Sequence, residues 1–269
     1  MTLNTTLIRV GDLNFNVVVE GQGEPVVLLH GFPNSASLWR FVIPLLVQRG
    51  YRVVAPDLRG AGASDAPEGK RQYELSLIAA DVLGIMDVLG IEKAHLVGHD
   101  WGALLGWLLA GAHAERFRSL SSLSVGHPRA YIRAGLGQLA RAWYIFVIAL
   151  PGVAETIIRA NDWYLFRKVV SHGDVDDWIA DLARPGRLSA RLNWYRQNAF
   201  KPPTKTRTPL PVLGIWSSDD GVLTEAQMIG STRFIAGPWR YERLDAVGHF
   251  IPLDEPETLS RLLLEFFEA

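Results

Sequence analysis

Gly98-His99-Asp100-Trp101-Gly102 stands between a short apolar run at 94–97 (AHLV) and an apolar, helix-spaced stretch at 101–114. Small residues two before and two after a central residue permit a very tight strand-to-helix turn. Such a turn needs close backbone approach and an unusual dihedral at its apex. The apex side chain, here Asp100, is then pushed out at the carboxyl edge of a sheet, which is where open α/β sheets bind ligands. An aspartate at this position would also serve as the N-cap of the helix starting at Trp101. The rest of the chain separates the two readings.

Upstream of this turn, residues 7–20 read as two strands joined at Gly11-Asp12. The runs at 25–30 (PVVLLH) and 51–55 (YRVVA) suit buried central strands. Residues 36–49 and 77–89 have helical spacing, each closed by a glycine, and Ser76 is placed to cap the second. Downstream, 120–125 reads as a further strand. The alternation predicts an α/β fold, with a mostly parallel sheet of about eight strands flanked by helices. From 128 to 209 the strand pattern stops. The segments there are rich in Trp, Arg and Leu and are broken at Pro151-Gly152, Gly173 and Pro185-Gly186. After the polar linker KPPTKTRTP (201–209), strands at 212–216 and 241–244 and an amphipathic helix at 257–267 complete the sheet. The chain thus divides into a core, 1–127 and 210–269, and an inserted helical cap, 128–209.

Three loops at other strand ends favour chemistry at Asp100 over capping. His30-Gly31-Phe32-Pro33 follows the third strand. Its backbone can aim the Phe32 N–H at a developing oxyanion, with the Trp101 N–H as second donor. Asp219 and Asp220 end the strand after the insertion, and an acid there can orient a histidine; alone, Asp-Asp-Gly reads as an exposed turn. His249, in Gly248-His249-Phe250, follows the last strand. A lone histidine is more often structural, yet the chain order nucleophile, acid, histidine is the triad order of this architecture. Other polar residues take plainer readings. Asp57 and Arg59 stabilise a loop, His99 packs beside the turn, and His127 is structural near the insertion's start.

Bulk composition narrows the partners. A net charge of −1 favours neither nucleic acid nor an anionic membrane. The absence of cysteine removes disulfides and thiolate chemistry. No ligands stand at metal spacing, no glycine-rich phosphate fingerprint is present, and no cofactor is expected. The first sixteen residues lack the pattern of a signal peptide. The most apolar stretch, 143–150, is far short of a membrane span. A soluble, cytoplasmic protein is the expectation, with monomer and homodimer both open.

These motifs make the chain resemble the α/β-hydrolases over nearly its whole length. Within them, GHDWG (98–102) and HGFP (30–33) resemble the branch shared by epoxide hydrolases and haloalkane dehalogenases, where aspartate replaces serine. Trp143-Tyr144-Ile145-Phe146, leading to Pro151-Gly152-Val153-Ala154-Glu155, resembles the first cap-tyrosine segment of epoxide hydrolases. Leu192-Asn193-Trp194-Tyr195-Arg196 resembles their second. The resemblance implies Tyr144 and Tyr195 as the two oxygen-binding tyrosines, with Tyr164 the fallback for the first. Ala149 departs from the family, which often has Gln there. Dehalogenases of this branch usually have Asn in place of Phe32.

The implied reaction takes a small apolar epoxide and water to a vicinal diol. Asp100 attacks to form an alkyl ester, and His249, oriented by Asp220, activates the water that cleaves it. Phe32 and Trp101 form the oxyanion hole, and His30, Pro33, Trp101 and Trp143 are expected to contact substrate. The rival enzyme reading is a haloalkane or haloacid dehalogenase using the same triad, with Trp101 and Trp143 or Trp163 holding halide. A third reading is a non-catalytic ligand sensor, which would have no need to keep all three of Asp100, Asp220 and His249.

Overall fold

The computed structural model describes residues 3–201 and 207–269, so the linker reading at 201–209 falls largely outside the described residues. Among the described residues eight strands form a single sheet. They are β1 (Thr5–Val10), β2 (Leu13–Glu20), β3 (Glu24–Leu29), β4 (Tyr51–Pro56), β5 (Ala94–His99), β6 (Phe117–Leu123), β7 (Val212–Ser217) and β8 (Trp239–Leu244). Their order is β1-β2-β4-β3-β5-β6-β7-β8. The β1/β2 and β2/β4 pairs are antiparallel, and every pairing from β4 across to β8 is parallel. The central strands are valine- and leucine-rich because both faces are covered. On one face, Val42, Ile43 and Leu46 of α1 (Val42–Gln48) pack with Leu259, Leu262 and Leu263 of α12 (Pro256–Phe267). On the other lie α2 (Leu75–Val88) and α3 (Trp101–Ala112).

This topology places the site. β3 has β4 on one side and β5 on the other, so the winding reverses there. The carboxyl ends of β3 and β5 therefore open a crevice, into which their following loops project. Helices inserted between β6 and β7 lie over it: α4 (Pro128–Arg133), α5 (Leu136–Arg141), α6 (Trp143–Ile148), α7 (Val153–Val169), α8 (Val175–Ala183) and α9 (Arg187–Asn198). Helix α7 is kinked at Asn161, Asp162 and Trp163, which have φ of 49°, 53° and 59°. Two short helices, α10 (Glu225–Ile229) and α11 (Ile251–Asp254), follow β7 and β8. Among the described residues no helix is long and apolar enough to cross a membrane.

Three local expectations are corrected. The single helix at 36–49 is instead a 3-10 turn, Ala36–Trp39, followed by α1. Pro44 explains the break, since its ring clashes with the carbonyl four residues earlier and it lacks an N–H. Ser76 does not cap α2. The helix starts at Leu75, whose N–H donates to Asn198 Oδ1 of α9 (3.0 Å), so a distant side chain does the capping. The strand at 120–125 runs from Phe117 to Leu123 and stops at Ser124, which has φ of 66°.

Candidate active site

Asp100 sits at the β5–α3 turn with φ 54° and ψ −120°. This strained conformation persists because neighbouring backbone crowds it. A Cβ at Gly102 would drive into the carbonyl oxygens of Leu29 and His30, and one at Gly31 would collide with the Asp100 carboxylate. Asp100 is at the N-cap position of α3, yet its side chain makes no capping hydrogen bond. Its Oδ1 instead accepts from the Phe32 N–H at 2.8 Å, and the Trp101 N–H also donates to the carboxylate.

His249 lies on the other side. Its Nδ1–H donates to Asp220 Oδ2 at 2.8 Å, and its Nε2 is 3.9 Å from Asp100 Oδ2. That second separation is too long for a hydrogen bond, so Nε2 is available to a water touching both groups. Asp220 is buried and fixed, since its Oδ1 accepts from the N–H groups of Val222 (2.8 Å) and Leu223 (2.9 Å). Asp219, one residue away, is exposed and takes the Ser218 hydroxyl. Behind the ring, His99 Nε2–H donates to the His249 carbonyl (2.8 Å).

Burial shapes the charges. Desolvation raises the Asp100 pKa against the opposing pull of His249, the Phe32 and Trp101 N–H groups and Arg191. Burial alone would lower His249. The charge and hydrogen bond of Asp220, with Asp100 and Asp254, more than offset it and raise the imidazole to about 9. Burial would likewise raise Asp220, but His249 and the Leu223 and Val222 N–H groups hold it below its ordinary value.

A cavity of about 380 Å³ opens over Asp100. Trp101, Leu104, Leu108, Val125 and Leu223 supply its sheet-side wall, and Tyr131, Ile132, Tyr144, Ile145 and Tyr195 come from the inserted helices. Glu74, Ser76, Asn198 and Lys201 mark the solvent end, where Lys201 Nζ pairs with Glu74 Oε1 (2.8 Å). Tyr195 is seated by aromatic edges, with ring centroids 4.8 Å from Trp101, 5.7 Å from Phe32 and 6.0 Å from Tyr144. Burial, then the neighbouring Tyr195, raises the Tyr144 phenol well above its ordinary value; burial, then Asp100, does the same to Tyr195.

The structure thus brings Asp100, His249, Asp220, Tyr144, Tyr195, Phe32 and Trp101 together. It does not bring the other expected substrate contacts. His30 is fully buried; its Nε2 accepts the Leu58 N–H (2.9 Å) and its Nδ1–H faces the Gly31 carbonyl (3.0 Å), so it braces the loop. Pro33 is buried outside the cavity wall, and Trp143 turns its ring to solvent, 48% exposed. Tyr164 and Trp163 also lie outside the wall, as does Ala149. Asp57 holds the Ala36 and Ala63 N–H groups, and Arg59 pairs with Asp81 through two 2.7 Å bonds. His127 caps α4 through Nδ1.

Two residues escaped the sequence reading. Tyr131 lines the cavity. Arg191, buried on α9, donates through Nη2 to the carbonyls of Gly31 (2.6 Å) and Asn34 (3.0 Å), the loop that aims the Phe32 N–H. Arg191 precedes Tyr195 by one helical turn, so the same face carries both. That spacing was the available signal. Among the described residues no His, Asp and Glu cluster could hold a metal ion.

An eight-stranded, mostly parallel sheet with an aspartate elbow and a histidine–acid pair at its carboxyl edge defines an α/β-hydrolase. The family model described as "alpha/beta hydrolase fold" matches residues 24–161. Epoxide hydrolase A of Mycobacterium tuberculosis is 31% identical, with 97% of this chain and 96% of the relative covered. Human epoxide hydrolase 4 is 30% identical over 97% of this chain and 78% of its own length. The crystal structure of epoxide hydrolase A from Mycobacterium thermoresistibile superposes with a TM-score of 0.84 at 28% identity, covering 100% of this chain and 99% of that one. The chain belongs to the epoxide hydrolase family of the α/β-hydrolases.

Proposed function

We propose that the protein hydrolyses epoxides to vicinal diols through a covalent ester on Asp100, beneath a cap formed by the inserted helices. The observation that carries this reading is the split environment of the Asp100 carboxylate: Oδ1 takes the Phe32 N–H, while Oδ2 faces the cavity and His249. Oδ2 attacks a ring carbon, a C–O bond forms, and the ring C–O bond breaks. The departing oxygen takes its proton from Tyr144 or Tyr195, and the phenolate is reprotonated from water. Their raised pKa values keep both phenols protonated at rest. Desolvation makes Asp100 a more basic, better nucleophile than a solvated carboxylate.

The second half uses the same geometry. Oδ1 has become the ester carbonyl oxygen and already lies against the Phe32 N–H, with the Trp101 N–H beside the same carboxyl group, so the tetrahedral oxyanion forms next to existing donors. His249 takes a proton from the attacking water and passes it to the departing diol oxygen. Esterification also removes the Asp100 charge, one of the contributions raising His249, which shifts the imidazole towards the neutral base.

Aspartate suits this task because the ester is cleaved at its carbonyl, which regenerates the carboxylate. A serine would leave a stable ether. Against halide release, Phe32 offers only its ring, and Trp143 and Trp163 lie away from the cavity, leaving Trp101 alone of the residues named for halide. Incubation with styrene oxide, with diol and halide release from a haloalkane measured in parallel, tests the reading. Diol formation without halide is expected; halide release alone would refute it.

A further inference from the structure

Tyr131 brings a third phenol to a cavity whose chemistry uses two. It stands on α4, half-buried, among the apolar side chains of Val125, Ile132 and Leu223. Behind it, on α5, Gln138 is fully buried. Its Oε1 accepts from the Thr224 N–H (2.9 Å) and the Thr224 hydroxyl (3.0 Å), and its Nε2 donates to the Val222 carbonyl (3.2 Å). A backbone N–H only donates and a backbone carbonyl only accepts, so these neighbours fix which end of the amide is which.

The Gln138 amide also lies beside the Tyr131 phenol and pulls its pKa down against the upward push of burial, as an N–H neighbour does. An amide nitrogen does not accept hydrogen bonds, so the phenol's own proton has no use for Gln138. Among the described residues no protein acceptor takes that proton, and Tyr131 lines the cavity. The Tyr131 hydroxyl is therefore a donor left for ligand.

The epoxide oxygen is not free to receive it. That oxygen has two lone pairs, and Tyr144 and Tyr195 supply two donors. We infer that Tyr131 is an acceptor-binding subsite: the substrate is an epoxide carrying a second oxygen acceptor, such as an ether or hydroxyl, close to the ring. This inference rests on the proposed epoxide chemistry of the cavity. A purely alkyl epoxide would strip water from the Tyr131 hydroxyl and return nothing, which is how a built donor rejects an analogue lacking its partner.

A matched pair tests this. Glycidyl propyl ether and 1,2-epoxyheptane differ only by oxygen in place of one methylene. The parent should prefer the ether by about tenfold in kcat/KM. In Tyr131→Phe the ratio should fall to about one, whatever the absolute rates do. A merely structural tyrosine would slow both substrates alike and keep the ratio. Calorimetric titration with the two corresponding diols reads the subsite without turnover and should show the same preference and the same loss. A parent that favours neither member, or a Tyr131→Phe variant that keeps the preference, overturns the subsite. If neither epoxide is turned over, the epoxide reading fails, and the diol titrations alone decide the subsite.

Discussion

Asp100 and Tyr195 face one another across one cavity, but different forces hold them. On the sheet side, position comes from backbone. Asp100 is locked by a positive φ and by amide N–H groups, and Asp220 by two consecutive N–H groups. On the helix side, position comes from packing. Tyr195 leans on the edges of Trp101, Phe32 and Tyr144, and its helix is tied to the core by Trp194 Nε1 to the Arg59 carbonyl (3.1 Å) and Asn198 to Tyr73 and Leu75. Backbone can fix a charge to a fraction of an ångström, which suits groups that make and break bonds. Ring contacts tolerate small rearrangement, which suits groups that must meet varied substrates.

The largest expected effect tests the sheet side directly. Asp100→Ala should lower epoxide turnover by about four orders of magnitude or more, as loss of a covalent nucleophile does elsewhere. His249→Gln should still open the epoxide but cleave the ester slowly. Intact-mass spectrometry should then show one added substrate, mapped to the peptide containing Asp100. Turnover by Asp100→Ala at the parent rate would mean that the elbow is only a helix start.

Next comes the acid. Asp220→Asn should cost about 10³–10⁴-fold, because it leaves the imidazole in the wrong tautomer and orientation. Asp219→Asn, at an exposed position, should cost little. Steady-state rates on one epoxide suffice, and the reverse ranking would break the assignment.

The helix side should respond differently. Tyr144→Phe and Tyr195→Phe singly should each keep some activity, since the proposed mechanism gives one oxygen two donors. The double variant should lose about 10²–10³-fold. The loss should fall on alkylation, because the oxygen has already left the reacting carbon before water attacks. Pre-steady-state kinetics separates the steps, and a loss confined to ester cleavage would erase the distinction between the two sides.

That distinction also governs what the sequence revealed. The elbow was legible because glycines at 98 and 102 bracket Asp100, and because acid and histidine follow at successive strand ends in triad order. Periodicity located the eight strands to within a few residues. Periodicity could not anticipate that Pro44 would split a helix or that Asn198 would cap α2 from a distance, since both depend on local sterics or tertiary approach. On the helix side, chemistry alone did not single out Tyr144 and Tyr195; they came from family resemblance. Tyr131 was invisible because its place in the cavity wall, beside Gln138 of another helix, follows only from tertiary packing.

A smaller effect concerns pH. His249 is raised from 6.5 to about 9 by its carboxylate neighbours despite burial. The imidazolium pair therefore stabilises the fold fully below pH 6.5 and loses that contribution as pH rises through about 9. The lowered Asp220 contributes stability above the ordinary carboxylate range that is lost as pH falls through its own pKa. The His249 share is at most roughly 3 kcal/mol. Melting temperatures between pH 6 and 10 should fall for the parent and stay flatter for His249→Gln. Parallel curves would show that the pair does not titrate as a unit.

The smallest expected effect belongs to a residue that joins both sides. Arg191 grows from α9 but ends in the sheet-side loop, where one guanidinium nitrogen holds two carbonyls. Those carbonyls flank Phe32, whose N–H meets Asp100, so the helix side helps to set that N–H, the oxyanion donor of the proposed mechanism. The guanidinium also lies against the Phe32 and Trp194 rings, at 5.9 and 5.1 Å from their centroids. Lysine keeps the charge but loses the rigid fork and the stacking face. Arg191→Lys should therefore let the Phe32 N–H drift without removing the field that favours ionised Asp100. Loss of a whole oxyanion donor costs about 10²–10³-fold, so a loosened one should cost about tenfold, in ester cleavage more than in alkylation. Arg191→Met, which also removes the charge, should slow both steps. Single-turnover traces of the two variants give the comparison. If Arg191→Lys and Arg191→Met lose the same factor in the same step, the residue acts through its bonds to the loop alone, and its charge contributes nothing to the nucleophile.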